Sequence, residues 1–451
     1  MSDWRGAEFE VRLGAPGHGG FCVGRHEGRV LFVRHGLPGE LVRARVTEDK
    51  GGSFCRADAV EILEASPDRV EPTCPVSGPG GAGCCDFSFA TPPAQRGLKA
   101  MVVAEQLRRL AGWEKDIVVE PIPAGERAEP TRGWRSRVRL AVDADGRAGV
   151  HRFRSTDVIA DLRCPQPMAG AMDGIADRKW TPGADLVVAV DGEGQRHIVE
   201  LAPPEHEPGT GRHDRRGDRA RGYGGQRRDG RGNRGARGGD DRRKAAARRA
   251  AAHAPRPEYV VEGDGRAVQY VAGRRWELAA TGFWQPHYGA AQCYSDVVAE
   301  WAYASPGALA WDLYSGVGVF AARVAEQVGA DGVVHAVESS RSAVADGAEA
   351  LRDLPWVRSS AARVERWITE QPYTAPEVVI LDPPRAGAGK EVIAALADRS
   401  PRRIVHIGCD PAAFARDIGL YRAAGYQVTE LRAFDAFPGT HHVECLALLE
   451  L

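Results

Sequence analysis

ALAWDLYSGVGVFAARVAEQVG, residues 308–329, is the stretch from which the fold is read. ALAWDLYSG is a short apolar run that reads as a strand ending in a turn, and VFAARVAEQVG has helical spacing. Asp312 stands near the strand end, and Gly316 and Gly318 follow in the turn. Glycines there let the backbone approach a ligand closely. A dinucleotide fingerprint would place a third glycine where Ala321 or Ala322 stands, so the motif is incomplete.

The same alternation extends on both sides. AAQCYSDVVAEWAYA reads as helix, GVVHAVES as strand, SAVADGAEALRDL as helix and EVVILDPPR as strand. EVIAALADR (helix), RIVHIGCDP (strand) and AAFARDIGLYRAAG (helix) follow, and QVTELRAFDAF and ECLALLEL close the chain as strands. Buried strands alternating with helices predict a doubly wound, Rossmann-like α/β domain over residues 276–451. Glu338 and Asp382 end the second and third strands, whose carboxyl ends line one crevice in such a sheet. Two acids with no basic partner fit S-adenosylmethionine, which carries an adenosine and a cationic sulfonium but no phosphate.

Residues 1–66 carry short alternating runs broken by Gly, Pro and Asp, the pattern of a small antiparallel barrel. Arg25, His26, Arg29, Arg34, His35, Arg43 and Arg45 are expected on its exposed face, either as a solvated surface or as contacts to nucleic acid. Residues 67–275 read as a small mixed central domain. Its loop CPVSGPGGAGCCDFSFA (74–90) holds three cysteines. A helix at 93–113 follows, with apolar positions Leu98, Met101, Val102, Leu107 and Leu110, and is expected to pack on the catalytic domain.

The net charge of −1 conceals an asymmetry. Residues 205–257 hold fifteen Arg and one Lys against five Asp and two Glu, about +9, which leaves the remainder near −10. The segment has almost no apolar side chain beyond alanine, so it is expected to be disordered. Arg/Gly-rich chain of this kind binds single-stranded nucleic acid with strong salt dependence, and a solvated insertion is the equal alternative. No apolar stretch reaches membrane-spanning length, and the first residues lack a signal-peptide pattern, so a cytoplasmic location is expected. Nine cysteines, an odd count, argue for metal or catalytic use over a disulfide framework.

In RRIVHIGCDPAAFARDIGLY (402–421), Cys409 sits where a strand stops and a helix starts. A cysteine there can serve as a thiolate nucleophile.

FWQPHYGAAQ (283–292), DLYSGVGVF (312–320), VILDPPRAG (379–387), IGCDPAAFARD (407–417) and FDAFPGTHHVE (434–444) together resemble the class I S-adenosylmethionine-dependent RNA (uracil-C5)-methyltransferases, which make 5-methyluridine in tRNA and 23S rRNA. The N-terminal barrel is similar to their RNA-binding TRAM domain, an OB-like barrel, and the resemblance covers all but the Arg/Gly segment. It implies Cys409 as nucleophile at uracil C6 and Glu444 as the base that removes the C5 proton. It implies Gln285, Tyr314, Gly316, Glu338 and Asp382 as cofactor contacts and Arg385 as a substrate contact. It also implies a [4Fe-4S] cluster on Cys74, Cys84, Cys85 and Cys164, although Ala82 stands where one cysteine is expected. A zinc site or an empty loop are the other readings of these cysteines.

This chain departs from the family at Gly408-Cys409-Asp410-Pro411, where Ser-Cys-Asn-Pro is usual, and at Val319, where the glycine loop often has Asn. A carboxylate beside the cysteine opposes its thiolate. The expected activity is 5-methyluridine formation in structured RNA, 23S rRNA before tRNA, by a monomer. The rivals are a non-catalytic RNA-binding protein and a nucleic-acid amino-methyltransferase. The latter would place an aromatic residue after Asp-Pro-Pro, where Arg385 stands.

Overall fold

Six strands open the computed structural model, which describes residues 3–123, 131–204, 256–372 and 374–451. They are β1 (Glu8–Arg12), β2 (Pro16–Gly17), β3 (Phe21–His26), β4 (Arg29–Arg34), β5 (Leu41–Asp49) and β6 (Phe54–Glu64), in the order β1-β5-β6-β4-β3-β2. Alternation sets the inner face: in β5, Val42, Ala44 and Val46 are buried while Arg43 and Arg45 turn outward. The inward residues of opposite strands meet in one core, so the sheet curls into a barrel.

Three residues expected on the barrel surface are inside instead: Arg29, Arg34 and His35. Arg29 makes two hydrogen bonds to the buried Asp49, at 2.9 and 2.6 Å. Arg34 reaches Asp86, from outside the barrel, at 2.6 Å. Buried guanidinium groups require such partners, and neither carboxylate is adjacent in sequence.

Helix α1 (Pro92–Ala111) starts on proline and stops at Gly112 in the left-handed conformation (φ 58°). Its buried face is Gln95, Leu98, Lys99, Val102, Val103 and Leu107; Met101 and Leu110, expected inside, are exposed. Polar Gln95 and Lys99 displace them because partners await in residues 435–439. Lys99 Nζ donates to Asp435 Oδ1 (2.5 Å), and Gln95 Oε1 accepts the Gly439 N–H (2.7 Å).

The central sheet holds β8 (Arg137–Val142), β9 (Ala148–His151), β10 (Val158–Ile159), β11 (Asp185–Val190), β12 (Arg196–Leu201) and β13 (Glu258–Glu262), in the order β10-β9-β8-β11-β12-β13. The Arg/Gly-rich segment joins β12 to its antiparallel neighbour β13. Residues 205–255 lie outside the described residues, and with them the expectation of disorder. A hairpin, β14 (Arg266–Val271) and β15 (Arg274–Ala279), leads to α2 (Ala290–Ala302).

The catalytic sheet uses β16 (Leu309–Leu313), β17 (Val333–Glu338), β18 (Val357–Ala361), β19 (Val378–Leu381), β20 (Arg403–Gly408), β21 (Gln427–Asp435), β22 (Glu444–Glu450) and an early strand, β7 (Val119–Pro121). Their order is β18-β17-β16-β19-β20-β22-β21-β7, with β16 to β20 parallel and β22 antiparallel to both β20 and β21. Helices α3 (Val319–Val328), α4 (Arg341–Ala350), α5 (Val364–Glu370), α6 (Gly389–Ala397) and α7 (Pro411–Ala423) cover the faces. Order reverses at β16, so ligands are expected at the carboxyl ends of β16 and its neighbours. β18 and α5 were not legible: β18 is a largely exposed edge strand without apolar alternation, and α5 spans seven residues.

Candidate active site

Tyr314 (φ 63°), Gly316 (φ 55°) and Gly318 (φ 87°) give the turn after β16 its left-handed backbone. The turn is pinned from the next strand: Gly316 N–H donates to Glu338 Oε2 at 3.2 Å. The other Glu338 oxygen accepts from Ser340 N–H at 2.7 Å. Asp312 is fully buried beneath the turn and accepts the Ala321 N–H (2.8 Å); burial pushes its carboxyl up to about 8. Tyr314, Gly316 and Glu338 therefore share one wall. Val319 opens α3 and packs on the apolar core.

Asp382 follows β19 and meets Gln285, whose Nε2 donates to Oδ2 at 3.4 Å. Burial raises Asp382 to about 7. The 134–136 segment holds Gln285 in place: Ser136 N–H bonds Pro286 O (2.8 Å), and Trp134 stacks on His287.

Cys409 and Glu444 come together through strand pairing. Gly408 of β20 faces Cys445 of β22. The next residue on one strand, Cys409, thus lies opposite the preceding one on the other, Glu444. Glu444 is 4% exposed, and burial, reinforced by Asp382, drives its carboxyl well above the ordinary range. Burial, with Glu444 and Asp382, pushes the Cys409 thiol up to about 12, and Arg385 opposes them. Asp410 is committed elsewhere: Oδ1 caps α7 by accepting from Ala412 and Ala413 N–H (3.0 and 2.9 Å). Its Oδ2 lies 3.1 Å from His18 Nε2. Burial alone would raise this carboxyl, but His18 and the helix N–H groups hold it below the ordinary range.

Three further residues, not singled out in the sequence, bear on the site. Tyr294 is fully buried, its hydroxyl has no hydrogen-bond partner among the described residues, and Glu444, Asp382 and Cys409 all act on it. Asp417 holds the loop after Arg385 through Ala388 N–H (2.7 Å). Asp86 grips His441, three residues before Glu444, at 2.6 Å. Their partners are distant in sequence; only the placement of Asp417 and His441 within the quoted motifs could have drawn attention.

The four cysteines converge in a second group. Cys164, Cys74 and Cys84 gather around Cys85, and their proximity raises the Cys85 thiol and lowers the other three. Gln166 donates to Cys85 Sγ (3.2 Å), and Arg135 donates to Gln166 (3.0 Å). Among the described residues no three or more His, Cys, Asp or Glu side chains are set out as a ready metal cage; the thiols meet one another instead.

Sequence comparison bears on this geometry directly. The tRNA (Uracil-5-)-methyltransferase family profile matches residues 360–451, and the TRAM domain profile matches residues 4–60. A protein of Streptomyces avermitilis named an uncharacterized RNA methyltransferase is 40% identical, across 99% of this chain and 98% of its own. The 23S rRNA (uracil(1939)-C(5))-methyltransferase RlmD of Alkalilimnicola ehrlichii is 30% identical, across 98% of this chain and 96% of its own. The chain belongs to the RNA (uracil-C5)-methyltransferase family. A solved methyltransferase shares the fold throughout: the Pyrococcus abyssi tRNA (uracil-54, C5)-methyltransferase, in complex with S-adenosyl-L-homocysteine, superposes with TM-score 0.64. It is 20% identical and covers 98% of this chain and 100% of its own. The barrel of this methyltransferase is thus a TRAM domain, and its eight-stranded sheet is the class I methyltransferase fold. Among its described residues no helix is long and apolar enough to cross a membrane.

Proposed function

We propose that this enzyme makes 5-methyluridine in structured RNA through a covalent link between Cys409 and C6 of the target uracil, acting as a cytoplasmic monomer. The observation that carries the reading is the β20–β22 register, which sets a thiol and a carboxyl side by side at the strand ends. Uracil C5 is a weak nucleophile. Addition of the Cys409 sulfur to C6 makes C5 enolate-like. S-adenosylmethionine, when bound, supplies the methyl group on a sulfonium. Glu444 then takes the C5 proton; the electron pair of that C–H bond restores C5=C6 and expels the Cys409 sulfur. Tyr314, Gly316 and Glu338 fit the adenosine side, and Gln285 and Asp382 the junction of cofactor and base. Arg385, exposed beside Cys409, fits a contact to RNA and favours the thiolate. The target base must leave its stack to reach this site.

The relative named for 23S rRNA is 30% identical over 98% of the chain, against 20% for the tRNA enzyme over the same share, which favours rRNA over tRNA. Bulk RNA tritiated at uracil C5 tests the reading. Release of tritium by the wild type and none by Cys409→Ala is expected; methyl transfer without release would overturn it.

We further propose that Cys74, Cys84, Cys85 and Cys164 hold a [4Fe-4S] cluster. Three cysteines gathered around Cys85 supply, with it, four sulfurs, the number that such a cluster takes. The cluster would be structural, bracing Gln166, Arg135 and Asp86, since methyl transfer involves no redox step. Iron and acid-labile sulfide assays after anaerobic purification test it; zinc, or no metal, would refute it.

A further inference from the structure

Two polar contacts of the barrel lead toward the reacting residues, one directly and one through the cysteine-bearing loop of the central domain. His18, after β2, reaches Asp410, the neighbour of Cys409 (3.1 Å). Arg34, at the end of β4, reaches Asp86 (2.6 Å), whose other oxygen reaches His441 (2.6 Å). Between them sits Gly20, at φ +76°. A Cβ on Gly20 would lie 3.0 Å from Asp86 and 3.3 Å from His441, so barrel and loop are in close contact.

The loop 436–443 that leads into Glu444 is held by α1 and by the segment that carries Asp86. Phe87 N–H bonds Gly439 O (2.9 Å), Gln95 accepts from Gly439 N–H (2.7 Å), and Lys99 donates to Phe437 O (3.1 Å). Asp86 is 4% exposed, and its two partners keep both oxygens occupied. Truncating Arg34 leaves a buried carboxylate half-satisfied, which is costly enough to move the loop. Asp410 is in a similar position: without His18 its second oxygen is free to turn its charge toward Cys409.

We propose that the N-terminal barrel carries positioning residues for the reaction, with His18 setting Asp410 beside the nucleophile and Arg34, through Asp86, setting His441 beside the base. The proposal rests on the covalent reading above and assigns the two barrel residues to different steps. His18 supports adduct formation. Arg34 supports proton removal and release.

The test uses full-length His18→Gln and Arg34→Gln, with Arg34→Lys as the charge-conserving variant. Melting temperature and S-adenosylmethionine affinity serve as folding controls. At saturating bulk RNA tritiated at uracil C5, turnover of both Gln variants is expected to fall roughly tenfold to a hundredfold, the scale of a misplaced reacting group. The SDS-stable protein–RNA complex should accumulate in Arg34→Gln and not in His18→Gln. Arg34→Lys should recover part of the loss. Wild-type turnover at saturating RNA, with only KM raised, would overturn the proposal, because the barrel would then act by binding RNA alone. Equal loss without the difference in complex would overturn it too. Glu444→Gln runs alongside: if it traps no complex, the covalent reading falls, and the kcat comparison alone decides the barrel's role.

Discussion

Cys409 and Glu444 stand opposite each other because Gly408 and Cys445 are register partners in an antiparallel pair. One strand ends as the other begins, so a single ladder fixes the separation of the proposed nucleophile and base. Replacing one residue should stop the reaction at a different point from replacing the other. Cys409→Ala should form no adduct and release no tritium. Glu444→Gln should form the adduct and lose about 10²- to 10⁴-fold in turnover, the usual contribution of a general base. Denaturing gels of protein with labelled RNA separate the two outcomes.

Adduct formation should accelerate with pH. The Cys409 thiol is pushed up to about 12 by burial and by Glu444 and Asp382. Its thiolate fraction then grows close to tenfold per pH unit across the neutral and mildly alkaline range. Single-turnover rates measured across that range should climb without levelling off at the value of an ordinary thiol. A plateau near neutrality would mean that the thiol is ionised by a group not acting on it here.

Asp382 makes stability depend on pH in the opposite sense to most carboxylates. Burial raises it from 3.8 to about 7, so the folded chain keeps a proton that the unfolded chain releases. Its contribution is fully present below the unfolded value and is lost as pH rises through the folded one. Asp382→Asn should therefore gain on the wild type between acid and neutral pH, by at most about 4 kcal/mol, and the gain should level off above neutrality. Urea titrations at several pH values measure this; a gap independent of pH would contradict it.

Tyr294→Phe should leave the ligand-free protein as stable or more so. The hydroxyl is buried without a partner among the described residues, and an unsatisfied buried group of this kind costs about 1–3 kcal/mol. A lower melting temperature for the variant would show that the hydroxyl has a partner after all.

Lys99→Met should be among the most damaging substitutions outside the catalytic pair. Lys99 and Asp435 are both buried, 2.5 Å apart. Removing one partner of a buried pair costs about 3–5 kcal/mol, whereas Lys99→Met with Asp435→Leu should recover most of that loss. Denaturant midpoints of the two single variants and the double variant decide it.

The sequence disclosed the parts of the fold that repeat locally. Most of the strand–helix alternation was legible from residue 289 onward because β19, β20 and β22 are apolar runs buried on both faces. The inner face of β5 was legible from its two-residue period. The buried charges were not. Arg34 looks like a surface arginine until Asp86, 52 residues away, closes on it. Lys99 looks like the polar face of α1 until Asp435, 336 residues away, arrives. The same distances hid Tyr294 and Asp86 from the site, while Cys409, Asp382 and Glu444 sit in local motifs that could be recognised.

The last strand pairs to form depends on one of the first segments to be made. β7 lies against β21, and Glu120 grips Arg432 across 312 residues of chain. On the ribosome, β7 must wait through 312 further residues before its partner emerges, and β22 comes later still. Long-range pairing of this kind is slow. Until β22 has emerged, Cys409 has no carboxyl opposite it and the sheet has an open edge. A nascent chain that has emerged only as far as β21 therefore holds most of the described fold yet lacks Glu444 beside Cys409.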